Sequence, residues 1–123
     1  MELDDDEPFQ TNLHIAAEAG HDDIVSMLLG SGYAVDECDS EGNTALHRAS
    51  LGEHVKVMLT LLKHGANPNV MNVHGWSPVH MAFSLGSMEV VEVLMQRGGD
   101  LKKRAKGKLS FEKFKEALAA RSS

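Results

Sequence analysis

Histidine is the residue type in this sequence with the widest chemical scope, because imidazole can ligate a metal ion or transfer a proton near neutral pH. The chain of 123 residues holds seven histidines, and three of them, His14, His47 and His80, recur at intervals of 33 residues. If each interval folds into one layer of packed helices, successive layers lie roughly 10 Å apart. A zinc ion binds its ligand nitrogens at about 2 Å, so these histidines cannot share one ion. We predict that they are structural and that the chain has no metal site.

The remaining reactive residue types also lack an arrangement that would support catalysis. The only cysteine, Cys38, lies among Asp36, Glu37 and Asp39, and their negative charge opposes formation of the thiolate that a reactive cysteine needs. No Gly-x-x-x-x-Gly-Lys-Ser or Gly-x-Ser-x-Gly motif and no His-Glu-x-x-His spacing occurs. The other histidines, which follow no ligand spacing, are His21, His54, His64 and His74. We therefore expect no cofactor and no enzymatic activity.

The interval of 33 residues extends well beyond the histidines. Residue character is preserved in three copies at Thr11, Thr44 and Ser77; Leu13, Leu46 and Val79; Ala16, Ala49 and Ala82; Ile24, Val57 and Val90; Leu28, Leu61 and Leu94; and Gly32, Gly65 and Gly98. So long a match indicates an internal repeat, in which each unit is one supersecondary element that stacks on its neighbours.

The residue pattern of each unit predicts two short helices and a turn. The Thr or Ser of the first matched set is a favourable N-cap, and in the third copy Pro78 follows it at the first helical position. Ile24 and Leu28, with their equivalents in the other copies, have the i, i+4 spacing of an apolar helix face. The matched glycines then fall where a helix ends. Segments 33–43 and 66–76, rich in Asn, Asp, Gly and Pro, predict projecting turns.

Two of these units resemble the ankyrin repeat closely. Asn-Thr-Ala-Leu-His-Arg-Ala at 43–49 and Trp-Ser-Pro-Val-His-Met-Ala at 76–82 are similar to the family's Thr-Pro-Leu-His-x-Ala signature, and His-Gly-Ala-Asn at 64–67 is similar to its helix-ending turn. The resemblance covers about residues 9–104. It implies an all-α solenoid of stacked helix-turn-helix units with projecting hairpin or turn fingers, which binds proteins. It also implies that the recurrent histidines bond the capping hydroxyl and the neighbouring turn.

The sequence departs from the family pattern at a few positions. Asn12 and Ala45 replace the usual proline, and the bulky Phe83 stands where alanine is common. Gly52 comes one place early before His54, which leaves the turn between the two helices of that unit open.

We predict three repeats at about 9–38, 39–71 and 72–104, here called repeats one, two and three. Residues 1–8 are acidic and poor in apolar side chains, so we expect them to be partly disordered. Residues 105–123 predict a degenerate capping repeat, as the end of a solenoid requires. The residues that recur there at helical spacing are Phe111, Phe114 and Leu118.

The net charge of −6 conceals a polarised distribution. Residues 1–41 hold 12 acidic and no basic side chains, residues 42–100 hold 4 of each, and residues 101–123 hold 8 basic and 2 acidic. Such a field could steer a charged partner. The chain has neither a secretory signal nor an apolar segment of the roughly 18 residues that a membrane helix needs, and it has a single cysteine. We therefore expect an intracellular protein of the cytoplasm, the nucleus or both, with no membrane insertion.

The resemblance implies that partner contacts come from the finger tips and from the exposed side of each first helix, which together form the concave face. Transferred by register, this places Gln10, Glu18 and Ala19 in repeat one and Gly52 in repeat two on that face. The residues we predict to bind a partner protein are Ser40, Glu41, Asn43, Leu51, Val73, His74, Trp76, Ser84 and Leu85. Among them Trp76, Leu51 and Leu85 would form an apolar centre, although Trp76 could equally pack on its own finger.

The function predicted is that of a non-catalytic module, monomeric alone, which binds another protein as an adaptor, inhibitor or regulatory subunit. The alternative is binding to nucleic acid or another anionic surface through the basic segment 102–108. That segment lacks interleaved aromatic residues, so this alternative has less support.

Overall fold

The computed structural model describes residues 9–101, which contain six α-helices and no β-strand. The helices are α1 Asn12–Ala19, α2 Asp22–Gly30, α3 Ala45–Leu51, α4 Val55–Lys63, α5 Pro78–Leu85 and α6 Met88–Gln96. The acidic start 1–8, the predicted cap 105–123 and the basic segment 102–108 lie outside the described residues.

The helices form two layers. The first helix of each repeat packs on the first helix of the next, so that α1, α3 and α5 form one layer, while α2, α4 and α6 form the other. Each first helix also packs on the second helix of its own repeat. The prediction of an all-α solenoid is confirmed, with fingers that are built from turns in the described part of the chain.

Each first helix begins with the same set of hydrogen bonds. Thr11, Thr44 and Ser77 are the N-caps of α1, α3 and α5, as predicted, and each side-chain oxygen accepts a hydrogen bond from the backbone N–H of the histidine three residues later. That histidine in turn accepts a hydrogen bond at Nδ1 from the backbone N–H of the N-cap residue. The second helices have no side-chain cap, so their position depends on packing.

The second helices end at the predicted glycines. Gly32, Gly65 and Gly98 have φ values of 100°, 93° and 99°, a left-handed conformation that glycine adopts at little cost. After α4 the backbone N–H of Ala66 donates to the carbonyl of Leu61 at 3.0 Å, which closes the helix end.

The turn between the helices of repeat two was left open because Gly52 comes one place early in the sequence, and the structure shows its conformation. In repeats one and three the residue after the first helix is Gly20 or Gly86, with φ values of 79° and 75°. In repeat two Gly52 has φ −84°, and Glu53 takes the left-handed position with φ 57°. A left-handed residue other than glycine costs about 1–2 kcal/mol. The repeat therefore keeps its turn geometry at the expense of one strained residue.

The core lies between the two layers and continues from repeat to repeat. Leu46, Leu61 and Leu94 are fully buried, and the half-buried Phe83 packs against the core. Ile24 of α2 is 38% exposed, whereas its equivalents Val57 and Val90 are 1% exposed. The difference arises because α4 and α6 each have a preceding second helix to pack against.

Candidate protein-recognition face

Each of the two fingers is held by one side chain at its base. In the first finger Asp39 Oδ1 accepts hydrogen bonds from the backbone N–H groups of Glu41 and Asn43, both at 2.9 Å. In the second finger Asn72 Oδ1 does the same for His74 at 2.9 Å and Trp76 at 3.0 Å. A carboxylate and an amide thus build the same turn.

The fingers are joined to one another through their backbones. Ser40 N–H donates to the carbonyl of Phe9, and Val73 N–H donates to the carbonyl of Glu41, each at 2.9 Å. Gly42 lies so close to the second finger that a Cβ atom on it would be 2.9 Å from the Val73 nitrogen. The finger tips therefore form one continuous row.

The recurrent histidines connect each helix cap to the next finger. Because Nδ1 of His14 and of His47 accepts a backbone hydrogen bond, the proton of the neutral ring is on Nε2. His14 Nε2 donates to the carbonyl of Asn43 at 2.8 Å, and His47 Nε2 donates to the carbonyl of Trp76 at 2.9 Å. The pKa of His47 is lowered to about 4, mainly because burial desolvates the imidazolium. The structural role expected for these two histidines is confirmed. In repeat three, Nδ1 of His80 is likewise hydrogen-bonded to the hydroxyl of its cap residue, Ser77.

An ion-pair network crosses from repeat two to repeat one. The Arg48 guanidinium binds Asp39 Oδ2 at 2.5 Å and Glu18 Oε1 at 2.6 Å. Burial alone would raise the pKa of Asp39, but hydrogen bonds from Arg48, Asn43 and Glu41 outweigh burial and lower it. For Arg48, burial is likewise outweighed by its two carboxylate partners, which raise its pKa. The middle of the first-helix layer therefore carries paired charges.

Most residues predicted to bind a partner lie at or near the surface. Val73 is 67% exposed and Leu51 is 43% exposed. Ser40, Glu41 and His74 are exposed as well, and the half-buried ones are Trp76, Ser84 and Leu85. We call the surface of the fingers and first helices that carries these eight residues the finger face.

Asn43 is the exception, because it is only 5% exposed. Its Oδ1 accepts a hydrogen bond from Asn72 Nδ2 at 2.9 Å, and its carbonyl accepts from His14. The expectation that Asn43 presents its side chain to a partner is therefore wrong. This side chain joins the two fingers instead.

On the first-helix side of repeat one, sequence reasoning missed two exposed apolar residues, Phe9 and Ile15. A depression of about 270 Å³ is lined by Gln10, Ile15, Glu18 and Ala19. Phe9 occupies a register position where the other copies have glycine, and that mismatch was the available signal.

Cys38 and the other possible metal ligands complete the description of the reactive side chains. The pKa of Cys38 is raised, first by partial burial and then by Asp39, Asp36 and Glu37, which keeps the exposed thiol protonated. Between residues 9 and 101 no group of three or more His, Cys, Asp or Glu side chains is arranged to hold a metal ion. Over the same residues no helix has the length and apolar character needed to cross a membrane.

Comparison with known proteins identifies the repeat. The family model described as ankyrin repeats in three copies matches residues 13–105. The chain belongs to the ankyrin-repeat family. Ankyrin repeats mediate interactions between proteins, and ankyrin-repeat domains are typically non-catalytic.

Similar ankyrin-repeat regions occur within much larger proteins. The chain is 34% identical to E3 ubiquitin-protein ligase KEG of Arabidopsis thaliana over 100 residues, which is 76% of this chain and 6% of that protein. It is 34% identical over 110 residues to tyrosine-protein kinase Shark of Drosophila melanogaster, covering 88% of this chain and 12% of the kinase. It is 34% identical over 83 residues to RelA-associated inhibitor of Mus musculus, covering 68% of this chain and 10% of that protein. The chain thus spans 12% or less of these relatives.

Proposed function

We propose that this ankyrin-repeat chain binds another protein through its finger face and acts without catalysis, as an adaptor, inhibitor or regulatory subunit. The observation that carries the proposal is the exposure of apolar side chains at positions that the repeat does not need for its core. Val73 lies at a finger tip and Leu51 at the end of α3. Apolar groups at such positions cost solubility and gain free energy only when a partner covers them.

The rigidity of the face also supports binding. The fingers are joined by backbone hydrogen bonds and by the histidine links, so their tips are already ordered in the free chain. Preorganised surfaces lose less conformational entropy on association. One relative over this region is named RelA-associated inhibitor, which supports an inhibitory role among the options.

Two leucines of repeat two provide a matched test of the proposed face. Leu51 on α3 is 43% exposed and Leu59 on α4 is 38% exposed, so Leu51→Ala and Leu59→Ala remove the same atoms from the two layers. Binding would be measured by calorimetry on a partner identified by affinity purification and mass spectrometry. We expect Leu51→Ala to weaken binding about tenfold, as truncating an interface anchor does, and Leu59→Ala to leave it unchanged. Equal effects, or loss with Leu59→Ala alone, would reject the finger face.

Trp76 provides a second, larger test. A tryptophan at the centre of an interface contributes on the order of 2 kcal/mol, so Trp76→Ala should reduce affinity by a factor of roughly 30 while the melting temperature changes little. Because Trp76 is half-buried, the melting temperature must be measured on the same sample. Normal binding with a much lower melting temperature would mean that Trp76 packs on its own finger.

A further inference from the structure

The charges of the finger face are distributed unevenly along the stack. Residues 9–41 carry seven acidic side chains and no basic one; two of the seven lie on α2 and the other five on α1 and the first finger. Residues 66–88, which comprise the second finger and α5, carry no charged side chain at all. One end of the face is therefore acidic and the other is neutral.

The acidic end is only partly neutralised within the described residues. Arg48 is the one cation of the first-helix layer there, and it is bound to two carboxylates, those of Asp39 and Glu18. Glu41 adds a further exposed carboxylate at the finger tip. The other basic residues between 9 and 101 belong to the second helices or their ends and are Lys56, Lys63 and Arg97.

Apolar side chains lie at both ends of the face. At the neutral end Val73 is largely exposed, and Met81 and Leu85 of α5 are half-buried. At the acidic end Phe9 and Ile15 are 54% and 51% exposed. One register position also changes from charged to apolar, because Met81 takes the position that Arg48 holds in repeat two. Leu51 lies between the two ends, on the helix that carries Arg48.

We infer that the finger face binds a protein segment that carries basic residues beside apolar ones. Its cations lie against Glu41 and Glu18, and its apolar side chains lie against Leu51, Val73 and Leu85. This inference rests on the proposed function and adds the chemistry and polarity of the partner. Carboxylates at the acidic end steer a basic segment and repel an acidic one, while removal of apolar area from water supplies affinity at the neutral end.

The test uses charge reversal at two exposed glutamates, Glu41 at the finger tip and Glu89 on α6. Glu41→Lys and Glu89→Lys change the net charge equally, so the pair separates a local effect from a general one. The probe is a library of random peptides of about 12 residues displayed on phage and selected on the intact chain, a length sufficient to reach across the repeats. Melting temperatures establish that both variants are folded.

We expect the selected peptides to combine basic and apolar residues, to bind Glu41→Lys about tenfold more weakly and to bind Glu89→Lys as they bind the original chain. Their affinity should fall as salt is raised from about 0.05 to about 0.5 M, since screening weakens exposed charge pairs. Selected peptides that are acidic or uncharged, or that lose affinity equally with both variants, would overturn the inference. Failure of the proposed function gives a different result, in which Leu51→Ala and Trp76→Ala leave peptide and partner binding unchanged.

Discussion

Repeats two and three share a backbone but present different chemistry at the same register positions. The finger of repeat two is held by Asp39 and that of repeat three by Asn72, with the same two backbone hydrogen bonds. The carboxylate of Asp39 additionally binds Arg48, which reaches Glu18 of repeat one. Repeat three has Met81 in place of Arg48. Geometry is therefore set by the residues that the repeats share, and the residues that differ decide what each repeat can contact.

The largest effect should come from the shared core. Leu61 of α4 and Leu94 of α6 are both fully buried, so we expect Leu61→Ala and Leu94→Ala each to reduce the free energy of unfolding by about 2–5 kcal/mol through loss of transfer energy and a cavity. Chemical denaturation measures both. Leu59→Ala serves as the exposed control and should cost less than about 1 kcal/mol. A small loss of unfolding free energy in either Leu61→Ala or Leu94→Ala would show that the cores of the two repeats are not equivalent.

The second effect concerns the histidine cap of repeat two. The pKa of His47 is about 4 in the folded chain because burial disfavours the imidazolium, against about 6.5 when unfolded. The unfolded chain therefore binds more protons, and stability is lost as the pH falls from about 6.5 to about 4. The loss from this residue amounts to about 3 kcal/mol.

This pH dependence is measured by denaturation at a series of pH values. Asp39 acts in a separate window, because its lowered pKa makes its contribution disappear only below its ordinary value of 3.8. His47→Gln should flatten the slope between pH 6.5 and 4. An unchanged slope in His47→Gln would show that other groups govern the acid sensitivity.

The smallest effect should come from the turn that distinguishes the two repeats. Glu53→Gly relieves a left-handed residue, and after the entropy cost of glycine it should stabilise the chain by roughly 0.5–1 kcal/mol. Gly86→Ala imposes the same strain on repeat three, where no neighbouring atom lies within 4 Å of the new Cβ. It should destabilise by about 1 kcal/mol. Thermal unfolding of both variants measures the two changes in stability. A change of the same sign in both would contradict the explanation by left-handed backbone strain.

The sequence predicts the parts of the fold that depend on local chemistry. The N-caps and the helix-ending glycines are each set by a few neighbouring residues and were placed correctly. The predicted apolar stripe is buried at Val57 and Val90 but not at Ile24. The register places Glu53 at the left-handed position of Gly20 and Gly86, but the sequence left this turn open because it offers Gly52 beside Glu53. The burial of Asn43 depends on Asn72, which lies 29 residues away. The exposure of Phe9 was signalled by the glycines at its register position in the other copies, and that of Ile15 by Arg48 at its position in repeat two.

The bonds from His14 and His47 to the following finger give the stack a direction. Each cap in repeats one and two completes its hydrogen bonding with a carbonyl supplied by the next repeat, so unfolding of a later repeat removes that acceptor from the earlier one. An intramolecular hydrogen bond contributes a net of about 0.5–1.5 kcal/mol, which adds to the packing between neighbouring repeats. A partner that holds the last finger in place therefore also stabilises the cap of the repeat before it.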